Sequence, residues 1–144
     1  MADEQFIGPH SYRIDGKLVR LTPRGTLTVP NAQVISQVYE RQIANYGRLL
    51  VLVDLRHSGV RASPEARRYL VDWLKATGNA SRMVGAAFGG GPIQNAMVTL
   101  MISAARIVTT HAPKMKFFAE QADAFAWLVD QEPSLATDQA PSAK

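Results

Sequence analysis

Leu49 to Val53 form an unbroken apolar run, Leu-Leu-Val-Leu-Val, framed by Gly47-Arg48 on one side and Asp54-Leu55 on the other. A strand with one face in water alternates apolar and polar residues; a strand without alternation is covered on both faces. Such strands belong to largely parallel sheets whose helical crossovers cover them. This one segment therefore argues for an α/β fold. Arg82 to Phe88 repeats the pattern and ends in Gly89-Gly90-Gly91, and Lys114 to Glu120 reads as a third inner strand.

Helical spacing fills the intervals. Ile35, Val38, Tyr39, Ile43 and Tyr46 share one face of a helix over 32–46, with Gly47 as its stop. A second helix starts at Ser63-Pro64, carries Ala66, Tyr69, Leu70, Trp73 and Leu74 on one stripe, and stops at Gly78. Residues 93–109 make a helix apolar around most of its circumference, and 121–131 a last one that packs through Phe125, Leu128 and Val129. Ahead of these, residues 11–21 read as two short alternating strands around Asp15-Gly16, a hairpin signal.

The order is β-β-α-β-α-β-α-β-α, a single α/β domain over 11–130 with a mostly parallel central sheet flanked by helices. Residues 1–10 are a lead-in and 131–144, rich in Pro, Ser and Ala, a flexible tail. In open α/β sheets, sites lie beyond the carboxyl ends of the strands. Here that edge carries the loop after Asp54, the three glycines and the turn after Phe118.

The chain has 144 residues, 47% apolar and 19% charged, the proportions of an ordinary soluble globule. It has no cysteine, which excludes disulfides and thiolate metal sites. The first ten residues have neither a basic nor an apolar leader pattern, and no run reaches the roughly 20 apolar residues that span a bilayer. The expectation is a cytoplasmic protein that is not integral to a membrane. Eleven basic residues stand against three acids between Arg41 and Lys116. They are scattered over several elements without the interleaved aromatics of a nucleic-acid groove, so nucleic acid is not the expected partner.

Three segments, in this order, carry a family resemblance: Asp15-Gly16-Lys17 through Pro30-Asn31-Ala32, Leu49 through Leu55, and Phe117 through Leu128. Together they resemble the STAS domain, the anti-sigma-factor antagonist family, in its SpoIIAA-like branch. The resemblance implies an interaction module that is regulatory rather than enzymatic. Antagonists of the family carry Asp-Ser-Ser-Gly where the second helix begins, and a serine there is phosphorylated by a partner kinase. Here the corresponding residues are Ala62-Ser63-Pro64-Glu65, so only Ser63 matches. Relatives thought to bind nucleotides or lipid chains extend the implied possibilities to those ligands.

The residues themselves give Ser63 a structural task. Serine is a preferred N-cap, proline a preferred N1 residue, and Glu65 suits the positive end of the helix. A phosphate on Ser63 would sit at a helix N-terminus, with Arg56 and Arg61 expected nearby. Nucleophilic chemistry at Ser58 or Ser63 needs a base and an orienting group, and Asp54, His57 and Ser58 crowd one short loop where such a triad does not converge. His10 and His111 stand on apparent loops. A phospho-accepting role for Asp54 would need an acidic pair to hold magnesium, and the preceding strands offer only Asp15. No catalytic residue, metal ligand or cofactor is assigned.

Gly89, Gly90 and Gly91 lead into a helix and form a candidate anion loop, or else a plain strand-to-helix turn before Pro92. On the helix that follows, Met97 and Met101 are candidate interface residues, because a helix apolar nearly all round must be covered on a second side. The expected function is a non-enzymatic, STAS-like regulatory module that contacts a protein partner and self-associates as a homodimer, with Asp54, Arg56, Arg61 and Ser63 as its loop contacts. The alternative is a carrier or sensor of a small apolar, lipid-like or anionic ligand, using Gly89–Gly91 and helix 93–109.

Overall fold

The computed structural model describes residues 3–57, 59–77, 82–92, 95–96, 99 and 114–135. Its strands are β1 (Gln5–Ile7), β2 (His10–Asp15), β3 (Leu18–Thr22), β4 (Thr26–Leu27), β5 (Leu49–Asp54), β6 (Arg61–Ala62), β7 (Met83–Phe88) and β8 (Lys114–Phe118). The helices described over their full length are α1 (Val29–Tyr46), α2 (Pro64–Thr77) and α3 (Gln121–Gln131). Six strands form one sheet in the order β1-β2-β3-β5-β7-β8. The first three are an antiparallel meander, and β3, β5, β7 and β8 are parallel. The α/β expectation and the mostly parallel sheet hold.

The unbroken apolar runs sit where the physics requires. β5 pairs β3 on one side and β7 on the other, and Leu49, Leu50, Val51 and Leu52 are all buried. Val19, Val51 and Leu49 face α1 and α2 with Ile35, Val38, Tyr39, Trp73 and Leu74. Leu18, Leu50, Leu52, Val84, Ala86 and Phe88 face α3 through Ala124 and Leu128. The crossovers α1 and α2 thus share one face and α3 takes the other. Polar contacts tie α1 to α2: Trp73 Nε1 donates to Glu40, and the Ser36 and Tyr69 hydroxyls share a 2.9 Å hydrogen bond.

Several particulars differ from the sequence reading. The hairpin loop is Gly16-Lys17, because Asp15 is paired with Leu18. Only Gly16 has positive φ (58°) there, which fits a type II′ turn with glycine first rather than a type I′ turn. α1 begins at Val29, with Pro30 in its first turn, and ends as expected at Gly47, whose N–H bonds the Ile43 carbonyl at 2.7 Å. Within the lead-in, Gln5–Ile7 pairs with β2. β4 and β6 form a separate two-stranded parallel ribbon in stretches that read as loop.

β8 is a correction: it pairs with β7 and ends the sheet among the described residues, so it is an edge strand there and not an inner one. Exposed Lys114 and Lys116 on it are the residues that discourage further strand addition. The beginning of the segment read as a tail is held to the core. Leu135 is fully buried against the α3 face. Glu132 pairs with Arg48 at 2.8 Å and Lys17 at 3.5 Å, and accepts from the Ser134 hydroxyl at 2.7 Å.

Candidate functional site

Side chains on β5 alternate faces, so Asp54 shares the α3 side with Leu50 and Leu52 and stands at the carboxyl end of the strand. Arg56 turns back onto it. Its Nε and Nη2 donate to the two Asp54 oxygens at 2.9 and 2.8 Å, and its backbone N–H donates to Oδ1 at 3.0 Å. Burial alone would push the Asp54 carboxyl up. The Arg56 hydrogen bonds and charge, helped by His57, outweigh it and hold the group below its usual range. The Arg56 guanidinium also lies 5.1 Å from the Phe88 ring centroid, a cation–π distance.

Gly89 makes this arrangement possible. Its φ is +75°, and a Cβ there would lie 2.3 Å from Arg56 Cγ. A Cβ on Gly90 would lie 2.9 Å from Leu55 Cδ1 and 2.7 Å from Asn95 Oδ1. The Gly89 N–H is consumed by the Phe118 carbonyl at 3.0 Å, and the Gly91 carbonyl accepts from Asn95 N–H at 3.1 Å. These glycines admit neighbouring side chains and start a helical turn, and the Gly89 N–H is taken out of any anion cradle.

Ser63 sits on the opposite side of the sheet, between β6 and α2. Ala66 N–H donates to its Oγ at 3.0 Å, which is the N-cap bond to N3. Its own N–H donates to the Leu27 carbonyl at 2.9 Å. The structure does not bring Arg56 and Arg61 together around it. Arg56 is committed to Asp54 and Phe88, and Arg61 reaches Thr26 Oγ1 on the neighbouring strand at 3.4 Å. The guanidinium anchored beside Ser63 belongs to Arg67, whose Nη1 donates to the Ala62 carbonyl at 2.8 Å. Sequence reasoning missed Arg67, although its place one turn into a helix capped by Ser63 was a usable signal.

The carboxyl edge forms a groove on the α3 side. One part, of about 350 Å³, is lined by Arg13, Arg20, Asp54, Arg56, Phe88 and Gln121, among others. A shallower part of about 530 Å³ shares Arg20, Arg56, Phe88 and Gln121 and continues to the start of α3. Arg56 therefore lies along both. Arg13 and Arg20 are cross-strand partners on the meander and share Asp15, at 3.0 and 2.7 Å. Asp15 is level with Leu18 and Leu50, four residues before Asp54, so about 13 Å separates the two carboxylates along the strands. Among the described residues no group of His, Cys, Asp and Glu is placed to hold a metal ion.

On the other face, an apolar cavity of about 220 Å³ is lined, among the described residues, by Leu27, Tyr39, Val53, Trp73, Leu74 and Met115 with their neighbours. Burial drives the Tyr39 phenol far above its ordinary pKa. Ser58, His111, Met97 and Met101 lie outside the described residues. His10 is fully buried, not on a loop: it opens β2.

No family model matches this chain, and no curated protein does. Among solved structures, it is similar to the crystal structure of an uncharacterized protein from the DUF3478 family with a SpoIIAA-like fold, from Shewanella loihica PV-4. The TM-score is 0.52 at 19% identity, covering 89% of this chain and 92% of that one. The fold is SpoIIAA-like. The resemblance read from the hairpin, the central strand and the closing helix is borne out at that level. No described helix is long and apolar enough to cross a membrane.

Proposed function

We propose that this protein is a non-enzymatic, STAS-like regulatory module that works through contacts with a protein partner and self-associates as a homodimer. The observation that carries this reading is the commitment of its reactive residue types to structure. The Ser63 hydroxyl caps α2, and Asp54 is closed by Arg56. What remains outward at the Ser63 corner is charge: Arg61 and Arg68 are exposed and Arg67 is half-buried, against the one acid Glu65. That balance suits an acidic partner surface. Ser63 keeps the position of the family's phosphoswitch while serving as a helix cap.

A second reading has its own support in the apolar cavity beside Tyr39 and Trp73, which would suit a small lipid-like ligand. Two measurements separate them. Light scattering at high concentration should give a dimer, and organic extraction of the purified protein should yield no stoichiometric lipid. A clean monomer that yields lipid would sink the module and favour the carrier. Phosphopeptide mapping of protein from growing and stressed cells should leave the Ser63 peptide unmodified if the cap is its whole role.

A further inference from the structure

His10 is fully buried on the α1/α2 side of the sheet, in register with Ile7 of β1. Its Nδ1 accepts the backbone N–H of Arg24 at 3.0 Å. An accepting Nδ1 carries no proton, so the neutral ring keeps its proton on Nε2, which is buried and has no hydrogen-bond partner among the described residues. The bond therefore depends on the imidazole being neutral.

The segment it grips leads directly to the Ser63 corner. The Gly25 carbonyl accepts from Arg61 N–H at 3.1 Å, Thr26 pairs with Arg61 and Leu27 with Ala62, and the Leu27 carbonyl takes the Ser63 N–H at 2.9 Å. We propose that His10 is an acid-sensitive latch: neutral, it holds Arg24 and with it the β4–β6 ribbon that positions Ser63; protonated, it releases that ribbon. An Nδ1–H would oppose the Arg24 N–H donor to donor, and a buried charge without a counter-ion is costly.

Among the described residues no carboxylate faces the imidazolium, and the Thr26 backbone is what favours its charged form. The charged residues on the gripped segment and its partner strand are Arg24 and Arg61, both cations. β1 contributes no ionisable side chain within Gln5–Ile7, and the first turn of α1 has no acid. Asp15, on β2, is of opposite parity to His10 and is tied to Arg13 and Arg20. Asp3 and Glu4, ahead of β1, line the groove on the α3 side. Burial accordingly lowers the His10 pKa, offset in part by the Thr26 backbone.

With the folded pKa below the unfolded value of about 6.5, the unfolded chain binds the proton more tightly, so the contribution is complete above about pH 6.5 and is lost as pH falls toward the folded pKa. The steepest loss for one proton is about tenfold per pH unit. This window lies above that of the carboxylates Asp54 and Glu132, whose lowered pKa values place their own losses below about pH 4. The latch needs no partner and is independent of the proposed regulatory role.

Hydrogen exchange of the full chain at pH 7.5 and 5.5, with labelling times scaled for chemical exchange, reads the latch. Peptides covering 24–28 and 60–64 should lose protection at pH 5.5 while 49–54 and 83–88 keep theirs. His10→Asn, whose Oδ1 can take the place of Nδ1 without titrating, should hold protection at both pH values. Retained protection in the wild type, a loss spread evenly over the sheet, or an equal loss in His10→Asn would each overturn the proposal. If that variant does not fold, NMR of the wild type decides. The Arg24 amide should shift with the same midpoint as the His10 ring, and an Arg24 amide that ignores the ring's titration refutes the latch.

Discussion

Arg56 bridges Asp54 and Phe88: two side-chain hydrogen bonds of 2.9 and 2.8 Å close on the carboxylate while the guanidinium lies 5.1 Å from the ring centroid. The carboxylate is the more sheltered partner, with 14% of its side chain exposed against 61% for the arginine. Removing the arginine leaves burial as the main influence on Asp54.

Arg56→Ala should therefore raise the Asp54 carboxyl pKa, read by carbon-detected NMR titration. In the wild type the lowered pKa gives stability that is present above the unfolded value of about 3.9 and lost as pH falls through the folded value. The variant should show less of that acid-dependent loss. Arg56→Lys should restore the pKa only in part, since an ammonium cannot form the paired bonds or lie flat on Phe88. An unchanged Asp54 titration in Arg56→Ala would disprove the coupling.

Gly89 is constrained twice, by its φ of +75° and by the nearness of Arg56. Gly89→Ala should cost about 1–3 kcal/mol from the left-handed conformation alone, with a further part from displacing the arginine stem. That further part should vanish in the Arg56→Ala background, so a double-mutant cycle by urea unfolding should give non-additive losses. Strict additivity would mean that the arginine does not press on the glycine.

Ser63→Ala should destabilise the protein by about 1 kcal/mol, through the lost bond from Ala66 N–H. Ser63→Asp should remain close to wild type, because aspartate caps equally well and its charge suits a helix N-terminus. Thermal or urea unfolding checks both. If Ser63→Ala were neutral and Ser63→Asp damaging, the cap would not be what the hydroxyl contributes.

The legible parts of this fold were those that repeat a local rule over several residues. β5 and β7 announced themselves because burial on both faces removes polar residues from the whole run, and α2 because Ser63, Pro64 and Glu65 all favour one helix start. β1 spans three residues and β4 and β6 two each, too few for alternation to show, and their pairing is decided by what the rest of the chain brings alongside. β8 did carry its edge signature, Lys114 and Lys116 alternating with Met115 and Phe117, beneath a run of aromatics that reads as interior. At the site, the residue types were visible but their side of the sheet was not. Nothing local says that Arg56 folds back over Phe88 while Arg61 stays with β4 on the other face.

Leu135 illustrates the same limit at the C-terminus, where a single apolar residue in a Pro- and Ala-rich stretch fills a fully buried position against the α3 face. Leu135→Ala should cost about 2–5 kcal/mol, the range for emptying a buried leucine site. Truncation after Gln131 should cost more than Leu135→Ala, since it also removes Glu132 from Lys17 and Arg48. Both losses should appear as a lower urea midpoint, and Leu135→Ala should leave the slope unchanged, the sign of altered stability without a change in the surface exposed. A truncated chain as stable as the full one would mean that the segment after α3 contributes nothing to the core, contrary to the packing of Leu135 over β5 and β7.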